Sequence, residues 1–261
     1  MPKTERSVLM PVTTNFPFPK DDHVFLLESV YTALNGPDTL QPVQQWEHQN
    51  WSAAVHCCRG TVLEKACISR LHIAEGTIND TPASLSFLET LAYPANPRIP
   101  GFITMTNMND KEDTGRTLVF YTDLIIQNGN LLEKDRTIFS ESLKKICAQY
   151  GQNFDELNAF AAGLGLMGGQ AGGCGFFYFF EESDIPFIEE VLHRIPETYK
   201  TIVAAGKDEQ PGQEDYEQVH RSRARLIEWI IAEDKGIKTA RENGVPMEFI
   251  EAYAFPPVIR Y

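Results

Sequence analysis

No apolar stretch of this 261-residue chain approaches the roughly 20 residues a helix needs to cross a membrane. None follows the N-terminus either, where MPKTERSVLMPVTTNFPFPK mixes charge with proline. Neither a membrane span nor a secretory leader is therefore expected. Positive charge is scarce: 23 Lys and Arg stand against 36 Asp and Glu, a formal net charge of −13. That balance, with no basic stripe, repels phosphate backbones and argues against nucleic acid as a partner. Cysteine is sparse and irregular. Cys57 and Cys58 are adjacent while Cys67, Cys147 and Cys174 are scattered, so neither a disulfide framework nor a CxxC metal site is present. The cysteines read as small buried apolar residues in a reducing, cytoplasmic setting. The six histidines, at 23, 48, 56, 72, 193 and 220, include no i, i+4 pair with a neighbouring carboxylate, so no metal is expected. Internal repeats and low-complexity linkers are also missing. The expected organisation is an extended arm over 1–20 and a single domain over 21–261.

What is present is ordinary globular composition, 43% hydrophobic and 23% charged, enough to bury a sizeable core. Helical spacing of Leu26, Leu27, Val30 and Leu34 predicts a helix over Val24–Leu34, stopped by Asn35-Gly36-Pro37. Strands are expected over 53–58, 61–72, 101–108, 116–127 and 175–181. Hairpins at Arg59-Gly60 and at the polar 109–115 loop imply antiparallel pairing. Helices are expected over 131–150, 154–162 and 184–204, the last kinked or divided at Pro196. A helix over 216–225 should feed a strand over 226–232. The fold class expected is α/β (α+β), a large, mainly antiparallel sheet with helices on both faces.

Three motifs carry possible chemistry. Gly163-Leu164-Gly165-Leu166-Met167-Gly168 fits GxGxxG, but it follows a predicted helix and precedes a strand. That is the reverse of a dinucleotide site, so the glycine run to Gly175 reads as a mobile flap or a pocket wall. Tyr93-Pro94-Ala95-Asn96-Pro97-Arg98-Ile99-Pro100 is a stiff, extended entry into the following strand. Arg221, Arg223 and Arg225 would share one face of a strand, suiting either carboxylate-bearing ligands or a solvated, acid-paired surface.

Four segments, taken in order over residues 51–261, resemble the oxygen-dependent coproporphyrinogen III oxidases. Gly60–Ala66 looks like that family's Gly-Val-Phe-Glu-Lys/Gln-Ala strand, and Tyr93–Pro100 is similar to its His-Pro-x-Asn-Pro-x-Val-Pro turn. Phe120-Tyr121-Thr122-Asp123-Leu124 stands where the family carries Gly-Gly-Asp-Leu-Thr-Pro. Arg223-Ala224-Arg225-Leu226-Ile227-Glu228-Trp229, with Asp234-Lys235-Gly236, tracks Arg-Gly-Arg-Tyr-Val-Glu-Phe and Asp-Arg-Gly, and Glu248 and the ending Phe255–Tyr261 follow. The resemblance implies a helix-flanked antiparallel sheet with a deep cleft, a homodimer, molecular oxygen as co-substrate and no cofactor. It further implies that Asp123 faces pyrrole nitrogens and is the leading catalytic candidate.

The departures narrow what it implies. The family's turn histidine is Tyr93 and its proposed acid-base histidine falls on Ile103; the nearby Asn and Arg fall on Met105 and Asn107. Leu166–Gln170 replaces a His-Arg-x-Glu block, and Gly244-Val245-Pro246 a Gly-Gly-Arg. Asp123, Arg223, Arg225 and Glu228 remain, and Tyr93, Tyr121 and Tyr178 offer hydroxyls to a pocket lined by Ile103 and Met105. The expected function is an oxidase or oxidative decarboxylase retargeted to a small electron-rich N-heteroaromatic of the pyrrole or indole type. The alternatives are genuine coproporphyrinogen oxidation and a non-catalytic tetrapyrrole- or metabolite-binding paralogue.

Overall fold

The structure, a computed structural model, describes residues 21–257; the expected N-terminal arm and the last four residues of the family-like ending lie outside them. Seven strands, β1 (Gln44–Glu47), β2 (Trp51–Cys58), β3 (Leu63–Ile78), β4 (Thr81–Pro94), β5 (Gly101–Lys111), β6 (Gly115–Ile125) and β7 (Phe176–Phe180), form one sheet in sequence order. Every pairing in it is antiparallel. The helices are α1 (Asp21–Asn35), α2 (Glu133–Gln149), α3 (Phe154–Ala162), α4 (Ile185–Gly206), α5 (Gln213–Ala232), α6 (Lys235–Glu242) and α7 (Met247–Tyr253).

Strand alternation sorts the core into two layers. Leu88, Ala92, Phe102, Phe120 and Leu124 point to the first face, where α1, α2 and α4 bury Tyr31, Phe139, Ile195 and Tyr199. Leu91, Tyr93, Ile103, Tyr121 and Ile125 point to the second, where α5, α6 and α7 bring Leu226, Ile230, Ile237, Phe249 and Tyr253. The antiparallel sheet with helices on both faces agrees with the sequence expectation.

Two strands were not anticipated, β1 and β4. The β3–β4 hairpin turns on Asn79 and Asp80, both left-handed (φ 52° and 63°), the two-residue geometry that matches strand twist. Asn35 pins the preceding hairpin: its amide donates to the Leu63 carbonyl at 2.9 Å and its oxygen accepts from the Leu63 N–H at 2.7 Å. The strand expected over 226–232 is instead the second half of α5, because Val219, Ser222, Arg223, Leu226, Ile227 and Ile230 recur at three- and four-residue steps and are all buried. Helix α4 runs unbroken through Pro196, held by Leu192, Ile195, Tyr199 and Ile202 in the core on either side. Helices α6 and α7 were also not anticipated.

Candidate functional site

Residues directly opposed across neighbouring strands form rows on the second face. One row runs Ser69, Glu89, Met105, Tyr121, Phe177 from β3 to β7. Its neighbours are Phe87, Asn107, Val119, Phe179 on one side and Leu91, Ile103, Asp123 on the other. Strands lie about 4.8 Å apart, so Glu89 and Tyr121 are roughly 10 Å apart at the backbone. Phe87, Glu89, Met105, Asn107 and Phe177 are half-buried and Phe179 is 56% exposed, so the helices leave this part of the face incompletely covered. Phe160 of α3 stands 5.9 Å from the Phe177 ring and 6.1 Å from Phe179, extending an aromatic rim. On the opposite side the Tyr253 ring lies 5.7 Å from Phe87. This half-buried strip of aromatic and thioether side chains, with Leu166, Met167 and Trp229 in the same apolar cluster, forms the trough.

Three polar groups in it have no hydrogen-bond partner among the described residues. The Tyr121 hydroxyl and the Asn107 side-chain oxygen are buried without a hydrogen bond, and the Glu89 carboxyl makes neither a hydrogen bond nor an ion pair among the described residues. Desolvation drives the Glu89 pKa well above the usual carboxylate range, and the nearby Asp234 adds to the rise. Burial likewise pushes the phenols of Tyr93, Tyr121 and Tyr253 up; the Glu89 charge adds to Tyr93 and Tyr253, whereas at Tyr121 the neighbouring Asp123 adds most and Glu89 least. No Lys, Arg or His occupies the three rows. Buried polar atoms without a hydrogen bond, such as the Tyr121 hydroxyl and the Asn107 oxygen, carry a desolvation penalty of about 1–3 kcal/mol each, which a ligand with matching groups relieves.

Glu89 was missed by sequence reasoning because β4 was. Its signal was available: Phe87, Leu91 and Tyr93 alternate as a buried face requires, and Glu89 breaks the pattern at the one position where an apolar residue belongs.

Asp123 is placed differently from the expectation of a residue open to ligand. One oxygen accepts from the Leu124 N–H at 2.8 Å and from the Cys174 N–H and thiol at 3.2 Å each; the other accepts from the Gly173 N–H at 2.9 Å. The glycine run makes this wrap possible. A Cβ on Gly175 would sit 1.7 Å from the Thr122 carbonyl oxygen, and Gly173 is left-handed at φ 66°. The Gly172 N–H also bonds the Leu124 carbonyl at 2.7 Å. The second half of the run is thus a built wall against β6. Burial raises the Asp123 pKa, and the thiol and backbone donors pull it back down. Burial first, then the Asp123 charge, holds the Cys174 thiol far above its ordinary range, so it serves Asp123 as a donor.

Tyr93 donates to the Ala254 carbonyl at 2.9 Å, tying β4 to α7. Ile103 is buried beside Asp123. Arg223 is buried, with one terminal nitrogen 2.8 Å from Glu64 and the other 3.1 Å from the Gln127 oxygen, its guanidinium 6.0 Å from the Tyr93 ring centre. It therefore joins β3, α5 and the segment after β6. Because α5 is a helix, Arg221, Arg223 and Arg225 do not share a face, and Arg225 and Glu228 are exposed on its outer side. Tyr178 points to the first face, donating to Asp184 at 3.1 Å, so it does not join Tyr93 and Tyr121. Two open hollows of about 500 Å³ each lie elsewhere, one around Arg98, Asn128 and Asp215, the other around Glu75, Pro82 and Asp110; neither includes Asp123 or Glu89. Neither a scan of protein-family models nor a search of curated proteins finds a match to the chain.

Proposed function

We propose that the trough binds a flat, uncharged or cationic N–H heteroaromatic of the pyrrole or indole type, and that the chain oxidises it with molecular oxygen and no cofactor, in keeping with its resemblance to the coproporphyrinogen oxidases. The observation that carries the reading is the half-buried Glu89 carboxyl, its pKa raised by desolvation and with no hydrogen bond or ion pair among the described residues, in an aromatic trough that also holds the buried Tyr121 hydroxyl. A ring N–H donates to Glu89, while the aromatic floor takes the ring face. In the oxidation the substrate gives up two electrons and two protons, and oxygen takes them to become hydrogen peroxide. Glu89, its pKa raised, is suited to receive the ring proton.

The lack of cations in the rows, with Arg223 committed to Glu64 and Gln127, favours this ligand class over a tetracarboxylic porphyrinogen. The lack of a histidine in the same rows supports a second reading, a binding protein that holds such a ligand without turnover.

Oxygen consumption by purified protein with pyrroles, indoles and coproporphyrinogen III separates the readings. Substrate-dependent uptake that Glu89→Gln lowers at least tenfold is expected. Binding without uptake supports the carrier, and carbon dioxide release from coproporphyrinogen III restores the porphyrin reading. Uptake and binding both indifferent to Glu89→Gln and Tyr121→Phe would sink the trough as the site.

A further inference from the structure

At the β3 end of the Leu91 row, β2 and β3 bring two cysteines directly opposite each other. Cys57 and Cys67 are registered partners, their sulfurs are 2.9 Å apart, and the Cys67 thiol donates to Cys57. Directly opposed antiparallel residues have Cα separations of about 4.5–5.5 Å, within the span a disulfide bridges. Cys67 also lies 3.5 Å from the Ala252 carbonyl oxygen of α7. Beside the pair, Lys65 is 2% exposed, and among the described residues its amine donates to main-chain oxygens, those of Glu251 at 3.2 Å and Phe255 at 2.5 Å. Burial lowers the Lys65 pKa, while the neighbouring Cys67 and Cys57 sulfurs act to raise it, and a positive charge there favours a thiolate next to it.

We propose that Cys57 and Cys67 are a redox-active dithiol that hydrogen peroxide, or another small hydroperoxide, converts to a cross-strand disulfide. The donated S–H from Cys67, with Lys65 and Arg59 nearby, draws the Cys57 thiol below its ordinary pKa despite burial, which makes Cys57 the attacking sulfur. Its thiolate attacks one peroxide oxygen, the O–O bond breaks, and the departing hydroxide takes a proton to leave as water, giving a sulfenic acid. The Cys67 sulfur then attacks the Cys57 sulfur. The S–S bond forms as S–O breaks, and the Cys67 proton leaves with hydroxide as a second water. Two thiols lose two electrons, and one peroxide becomes two waters.

The other cysteines are placed to stay out of this exchange. Cys58 projects to the opposite face against Asn35 and Thr39. Burial raises the thiols of Cys147 and Cys174.

The test is intact-mass analysis of the full chain titrated with hydrogen peroxide, followed by peptide mapping without reductant. A loss of 2 Da per chain, a Cys57–Cys67 crosslink and reversal by dithiothreitol are expected. Cys58→Ser should keep the crosslink and Cys67→Ser should stop at a sulfenic acid on Cys57. Stepwise gain of oxygen on wild-type protein with no 2 Da loss, or a crosslink through Cys58, overturns the proposal. Because the wild-type map decides the matter, a serine variant that fails to fold does not leave it open.

Discussion

The two faces of the sheet solve the same problem differently. On the first, α1, α2 and α4 cover the strands, and the buried phenols find partners: Tyr199 donates to the Pro100 carbonyl at 3.2 Å and Tyr31 to Thr90 at 3.4 Å. On the second, the middle of β4–β7 is half-buried and holds a phenol and an amide oxygen, of Tyr121 and Asn107, buried without a hydrogen bond among the described residues. The Thr104 and Thr106 hydroxyls and one Asp135 oxygen on the first face are also without a hydrogen bond among the described residues, so the difference between the faces lies in cover. The first face is closed by helices, while the second leaves the β4–β7 rows half-buried.

The largest expected effect tests the scaffold. Phe102 is fully buried, stacked 4.8 Å from Tyr199 and edge-on to Phe139 at 6.2 Å, so Phe102→Ala should lower stability by about 3–5 kcal/mol in urea unfolding. A loss under 1 kcal/mol would mean the first layer is not the tightly packed one.

Asp123→Asn tests whether Asp123 belongs to the wall or to the ligand. An amide presents N–H groups to a shell of donors, so a loss of about 2–3 kcal/mol is expected even without ligand. Unchanged stability with lost ligand binding would return Asp123 to the anchor role.

Glu89→Gln should act in the opposite direction. A carboxyl whose folded pKa is raised above its unfolded value stabilises the fold when protonated, and that stability is lost as pH rises through the folded pKa. The wild type should therefore weaken above the ordinary carboxylate range by about 1 kcal/mol more than Glu89→Gln does. Parallel melting curves for the two proteins from pH 4 to pH 9 would contradict this.

The smallest effect lies on the rim. Phe179→Ser should change stability by less than about 0.5 kcal/mol, because the ring is mostly exposed, while weakening binding of an aromatic probe dye. Dye binding that survives both this change and Phe160→Ser would place the apolar surface elsewhere.

Much of the scaffold was legible in the chain. Helix α3 falls on the expected residues, and β2, β5, β6 and β7 lie within a few residues of expectation. The Arg59-Gly60 and 109–115 turns announced antiparallel pairing. Strand β4 hid because Glu89 interrupts the alternation of Leu85, Phe87, Leu91 and Tyr93 and Pro82 sits near its start, and the short apolar run of α5 reads equally as strand or helix until its burial is known. The site was less legible. Ile103, Met105, Asn107 and Tyr121 were named and do fall on the three rows, whereas Arg225 and Glu228 were placed by a strand that is a helix.

The chain's own residue pattern determined the local periods, the turns and the antiparallel character, because these depend on spacing within a few residues. Only the tertiary structure decided which carboxylate is satisfied and which is left open. Asp123 meets donors about 50 residues away on the glycine run, and Glu89 meets none among the described residues, a difference set by long-range packing rather than by the residues on either side.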